Sequence, residues 1–123
     1  MKPEQQRVAI AELMGWKIEQ QPCGEWSAYI NGKKLHGRFI DKAGCIGARY
    51  PDYFNDLNDV ADARRLLIAP DDYTRRVAFL NHLRSIRIKF QCGSPVSDYD
   101  LLNSTAGQQC EALVMAIGKW VEE

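Results

Sequence analysis

The dipeptide Asn31-Gly32, set between two runs of alternating residues, is the strongest constraint on what this chain can fold into. Both positions tolerate positive φ, which a two-residue hairpin turn requires. Before the turn, Trp26, Ala28 and Ile30 alternate with Ser27 and Tyr29. After it, a return strand is predicted over Lys33 to Ile40. Leu35, Gly37 and Phe39 share one face there, and Lys34, His36 and Arg38 share the other. Gly37 weakens such a strand and suits a close approach of another segment.

Most of the remaining chain carries helical periodicity. Pro3 to Met14 has proline in its first turn, with Val8, Ala11, Leu13 and Met14 as the apolar stripe. Gly15 stops it, and Trp16 is expected to fold back onto it. Asp41 to Tyr50, with Gly44 and Gly47, reads as a loop with a short strand at Cys45–Ile46. A second helical region opens at Pro51, capped by Asp52 or Asn55, with Leu57, Val60, Ala61, Arg64, Leu67 and Ile68 at helical spacing. Pro70 ends it. Asp71 or Asp72 caps a third helix with Tyr73, Val77, Leu80 and Leu83 inward, and the short turn predicts an antiparallel helical pair. Residues 86–92 alternate Ile86, Ile88 and Phe90 against Arg87, Lys89 and Gln91, which fits either a half-buried strand or a continuation of the third helix. Gly93 to Asn103 reads as a polar loop. Thr105 and Gln108 form a capping box for a last helix running to about Val121, with Ala106, Cys110, Leu113, Val114, Ile117 and Trp120 or Val121 as its buried stripe. The class is therefore α+β: a small, mostly antiparallel sheet with about four helices.

The 123 residues fit one domain spanning 1–123. Sixteen basic and sixteen acidic residues cancel. That balance argues against duplex nucleic acid as a partner, because duplex affinity comes largely from phosphate neutralisation. No apolar run approaches the roughly 20 residues of a membrane span, and Glu4, Gln5, Gln6 and Arg7 interrupt any secretion segment near Met1. A cytoplasmic protein without membrane partners is expected. Cys23, Cys45, Cys92 and Cys110 are spread along the chain with no C-x-x-C pair, so four reduced, mostly buried thiols are expected and no zinc site.

Four sets of residues could carry chemistry. Asp52, Asp56, Asp59 and Asp62 could hold a divalent cation, but acids at a helix N-terminus more simply satisfy free N–H groups and oppose the helix dipole. A hydrogen-bond network joining that turn to the sheet is a third reading. Arg64, Arg65, Arg75 and Arg76 would lie near one edge of the antiparallel pair, and arginine forks suit phosphate and carboxylate. Interleaved with Asp62, Asp71 and Asp72, they could equally be a solvated face. His36 and His82 lack a neighbouring cysteine or carboxylate at the spacing of a nucleophile–base unit. No serine has a G-x-S-x-G context, and no phosphate-loop, dinucleotide or zinc-protease motif occurs. Catalytic residues, metal ligands and cofactors are accordingly none. Trp16, Trp26, Tyr29, Tyr50, Tyr53, Phe54 and Tyr99 could stack a base or anchor a partner, though all but Tyr29 are more simply core.

The string Pro51-Asp52-Tyr53-Phe54-Asn55-Asp56-Leu57-Asn58 resembles the centre of the phage ABA sandwich domain family. Ile10-Ala11-Glu12 leading into Gly15-Trp16-Lys17, the segment Ala61 to Leu67, and Thr105-Ala106, Glu111-Ala112-Leu113 and Gly118-Lys119-Trp120 agree in order and spacing. The resemblance implies a three-layer α/β/α sandwich, a phage or prophage setting in a bacterial cytoplasm, and a structural motif at Pro51, Asp52, Tyr53, Asn55, Asp56 and Leu57. It transfers no catalytic residue. The hairpin at Asn31-Gly32 and the basic stretch Arg84–Lys89 depart from the family pattern and could hold a function of this chain's own.

The expectation is a non-enzymatic accessory protein that binds a host protein or complex stoichiometrically, as an anti-CRISPR or similar inhibitor of host defence does. Its surface would be Asn31, Lys33 and Lys34 with Arg64, Arg65, Arg75 and Arg76. One rival is a sponge for a small nucleotide signal, which self-association into a homo-oligomer would favour. The other is a small metal-dependent hydrolase using Asp52 and Asp56.

Overall fold

Asn31 and Gly32 both take positive φ, 49° and 83°, and Ile30 pairs with Lys33 across them, so the two-residue turn forms as its sequence demands. This computed structural model describes residues 1–122. Its elements in chain order are α1 (Pro3–Leu13), β1 (Trp16–Gln20), β2 (Trp26–Ile30), β3 (Lys33–Lys34), α2 (Lys42–Arg49), α3 (Leu57–Leu67), α4 (Tyr73–Phe90), α5 (Asp98–Leu102) and α6 (Ala106–Ala116). The class is α+β, with six helices among the described residues rather than about four. The sheet is three-stranded and antiparallel in the order β1-β2-β3.

The return strand is much shorter than predicted. Regular pairing stops at Lys34, and only a single bridge, Trp26 to Phe39, follows. The cause is Gly37, which sits at φ 110° with the Arg49 guanidinium packed where a side chain would start. Arg49 donates to the His36 carbonyl and lies over the Phe39 ring. A residue without Cβ lets the chain turn away from the ladder and admits the arginine.

The segment expected as a loop with a strand at Cys45–Ile46 is instead α2, capped by the Asp41 carboxylate, which accepts from Gly44 N–H at 2.6 Å. Trp16 opens β1, whose five residues pair with β2 from Trp16–Ile30 to Gln20–Trp26. Asp56, not Asp52 or Asn55, caps α3 by accepting from Asn58 and Asp59 N–H. Pro51 therefore opens a turn rather than a helix. Asp72 caps α4, which runs unbroken through Phe90, so residues 86–90 are helical. The loop after it contains α5, capped by Ser97. The predicted box of Thr105 and Gln108 caps α6, which ends at Ala116, short of Val121.

The core is built on α6. Ala106, Cys110, Ala112, Leu113 and Val114 are buried there, and α1, α3 and α4 pack on it, α4 most extensively. These helices bring Ile10 and Ala11, Val60 and Ala63, and Phe79 and Leu83. Leu13, Leu57, Tyr73 and Leu80 are exposed, so four of the residues assigned to buried stripes lie outside the core. α1 and α2 carry the main packing against the sheet. Ser27 and Ala28, neighbours on β2 that point to opposite faces, are both buried, so the central strand is covered on each side. No helix among the described residues is long and apolar enough to cross a membrane.

Candidate functional site

The arginines expected to share an edge lie around the turn from α3 to α4. Arg64, Arg65 and Arg76 line an open surface depression of about 540 Å³ whose apolar wall is Ile68, Pro70, Phe79 and Leu80. Arg64 comes from the last turn of α3, and its guanidinium sits 5.7 Å from the centroid of Phe79. Phe79 is buried and Arg64 covers its ring, while no acceptor among the described residues takes the Arg64 N–H groups. Arg76 donates to the Pro70 carbonyl at 3.0 Å. Arg65 pairs with Asp62, both side chains largely exposed, which adds little to stability.

Arg75 does not join them. It turns back along the chain, 3.7 Å from Asp72 and 3.4 Å from the Leu67 carbonyl, and so satisfies the open C-terminal end of α3. Among the described residues, neither Arg64 nor Arg76 pairs with a carboxylate. The depression thus combines two uncompensated cations with an apolar wall, and the residues lining it include no histidine, cysteine, serine or carboxylate. Such a surface can hold an anionic group beside an apolar one.

A neighbouring depression of about 530 Å³ shares Arg65 and continues through Leu66, Asp62 and Asp59 to Tyr53, Pro51, Trp16 and Met14. The Pro51–Leu57 motif lies here as a clasp. Asp52 N–H donates to Asp59 at 3.0 Å, and Asp52 itself accepts from Asn55 N–H at 3.1 Å. The carboxylates of Asp52, Asp56 and Asp59 are thereby spent on backbone N–H groups, and no cluster of three or more metal-binding side chains is assembled among the described residues. The capping reading holds for this acidic run, whereas its hydrogen bonds stay within the turn and the start of α3 and do not join it to the sheet. Burial, with Asp59 nearby, pushes the Tyr53 hydroxyl up to about 12. The residue that locks the clasp was not visible in the sequence pattern. Arg7 reaches from α1 to donate to the carbonyls of Pro51 at 2.8 Å, Gly47 at 3.3 Å and Tyr50.

The hairpin tip borders the same side. Asn31 N–H donates to the Gly15 carbonyl at 2.8 Å, and Gly15 stands between Met14 and Trp16 of the second depression. Lys33 and Lys34 are exposed and have no carboxylate partner among the described residues. Asn31, Lys33 and Lys34 line neither of these two depressions, so the structure does not bring the tip into the arginine site.

Two features speak to other chemistries. Cys45 and Cys110 are buried while Cys23 and Cys92 are exposed, so half rather than most of the thiols are covered; all four are free. Burial pushes the Cys110 thiol up to about 12 and raises Cys45, which leaves neither as a thiolate nucleophile. A further depression of about 680 Å³ sets Trp120 among His82, Lys89, Glu111 and Glu122. Its mixed charges give no consistent preference for an anion or a cation.

No family model, curated protein or solved structure matches this chain. The likeness to the phage ABA sandwich domain stands on the quoted strings alone.

Proposed function

We propose that this protein works by stoichiometric binding, with the depression at the α3–α4 turn docking an acidic, partly apolar segment of a host protein. The observation that carries this reading is the pairing of Arg64 and Arg76, neither offset by a carboxylate among the described residues, with the apolar wall of Ile68, Pro70 and Leu80. Charge of one sign steers and orients a partner, while the apolar wall supplies the area that holds it. A phage or prophage setting, suggested by the Pro51–Asn58 string, makes a component of bacterial defence the natural target, because blocking a surface needs no reaction. A protein partner fits better than a small nucleotide. The only aromatic ring in the depression is Phe79, which is buried beneath Arg64 and offers no free face for a base.

The test is phage challenge of bacteria that carry a defined defence system, with this chain expressed at graded levels. Plating efficiency should rise in step with the amount of protein. The double variant Arg64→Glu, Arg76→Glu should keep its circular dichroism spectrum and lose the protection. Full protection by that variant, or none by the parent against every system tried, defeats the proposal.

A further inference from the structure

The outer edge of β1 is an unpaired sheet edge among the described residues. In the sheet, Trp26, Ala28 and Ile30 of β2 direct their backbone groups toward the β3 side: Trp26 exchanges bonds with Phe39 at 2.7 and 3.0 Å, and Ala28 C=O accepts from Leu35 N–H at 2.9 Å. Ser27 and Tyr29 must then face β1, where they oppose Glu19 and Lys17. The bond from Asn31 N–H to Gly15 C=O follows the same parity. It follows that Trp16, Ile18 and Gln20 turn their N–H and C=O groups outward. β1 ends the sheet, and these outward groups have no protein partner among the described residues.

We infer that a second copy of this chain pairs on that edge, β1 antiparallel to β1 about a two-fold axis through Ile18. The register is the one that matches outward groups to outward groups. Ile18 faces its own symmetry mate and Trp16 faces Gln20 of the other copy, each as a pair that exchanges two N–H···O bonds. The intervening positions put Lys17 of each copy opposite Glu19 of the other. These are the non-hydrogen-bonded pairs, where opposed side chains come closest and opposite charges help most. Within one copy, Lys17 Nζ lies 2.6 Å from Glu19, with the two side chains 69% and 44% exposed. The pair is therefore open to solvent, and it is self-complementary under a two-fold operation. A lysine on an edge strand often repels a second strand. Here its neighbour two residues on cancels that repulsion in this one register. The result is a single continuous sheet running through both copies.

Charge exchange tests the register directly. Sedimentation equilibrium of the full chain should give twice the monomer mass at high concentration. Lys17→Glu alone and Glu19→Lys alone each place like charges across the axis and should sediment as folded monomers. Mixed in equal amounts, the two variants should recover the doubled mass, and the Ile18 amide should exchange with deuterium more slowly in the mixture than in either variant alone. A parent chain that stays monomeric overturns the inference. So do single variants that still dimerise, or a mixture that stays monomeric.

Discussion

Arg7→Ala should be among the most damaging single substitutions outside the buried apolar core. Arg7 stands on α1 but donates to three carbonyls that close α2 and begin the Pro51 turn. Two of these bonds, to Pro51 and Tyr50, are partly buried, and the one to Gly47 is exposed. A bond from a charged donor contributes about 1.5 to 3 kcal/mol when partly shielded. Taking the low end for the two shielded bonds and nothing for the exposed one gives a loss of about 3 kcal/mol. At roughly 4 °C per kcal/mol for a domain of this size, the melting temperature should fall by about 12 °C. Arg7→Lys should lie between, since an ammonium cannot present a planar fork to several carbonyls at once. Thermal unfolding followed by circular dichroism reads all three proteins. A loss of under about 1 kcal/mol for Arg7→Ala, by the same calibration, would refute the view that one guanidinium holds the Pro51–Leu57 clasp to the body of the protein.

Two further outcomes can be checked in the same way. Gly15 has φ 95°, and a methyl group there would meet Asn31 Oδ1 at 2.0 Å. Gly15→Ala should destabilise by about 2 kcal/mol in urea, and placing it in an Asn31→Gly background should recover part of that loss by removing the collision. Asp100 accepts a hydrogen bond from Ser97 N–H first of all, with Ser97 Oγ, Gln91 and Arg87 assisting, and this holds its carboxyl below its ordinary value of 3.8. A depressed carboxyl stabilises the fold above its unfolded-state pKa and loses that contribution as pH falls through its folded value. Unfolding measured from neutral pH down to about pH 3 should therefore show a weaker acid dependence in Asp100→Asn than in the parent; equal slopes would contradict it.

What could be read from the sequence was local. The Asn31-Gly32 turn and the Thr105–Gln108 box depend on residues a few positions apart and formed where expected, and of the two caps open to α4, Asp71 and Asp72, the chain uses Asp72. The α6 stripe was legible because Cys110, Leu113 and Val114 keep one helical period without interruption. α2 was hidden because Gly44 and Gly47 read as loop residues, although Asp41 supplies a cap. β1 was hidden because only Trp16 and Ile18 mark its apolar face. Residues 86–90 carry a period of two, yet the helix wins: Ile86 packs against the core with Leu83 three positions earlier, while Ile88 and Phe90 turn to solvent. The candidate site was half legible. Arg64, Arg65 and Arg76 did converge, but Arg75 was drawn to the carbonyl end of α3, and no periodicity could reveal that Phe79 would lie under Arg64.

The unbroken course of α4 has a mechanical consequence. Eighteen residues make a strut about 27 Å long. One end carries Arg76 and Phe79 of the depression; the other carries Arg87, whose guanidinium lies 3.9 Å from Asp100 and 3.4 Å from Gln108. With its middle bolted along α6, the strut leaves the docking residues little freedom to lose when a partner arrives. Capture on this surface should therefore resemble a key entering a finished lock, and a label attached near α5, at the far end of the strut, should register no change when the partner docks.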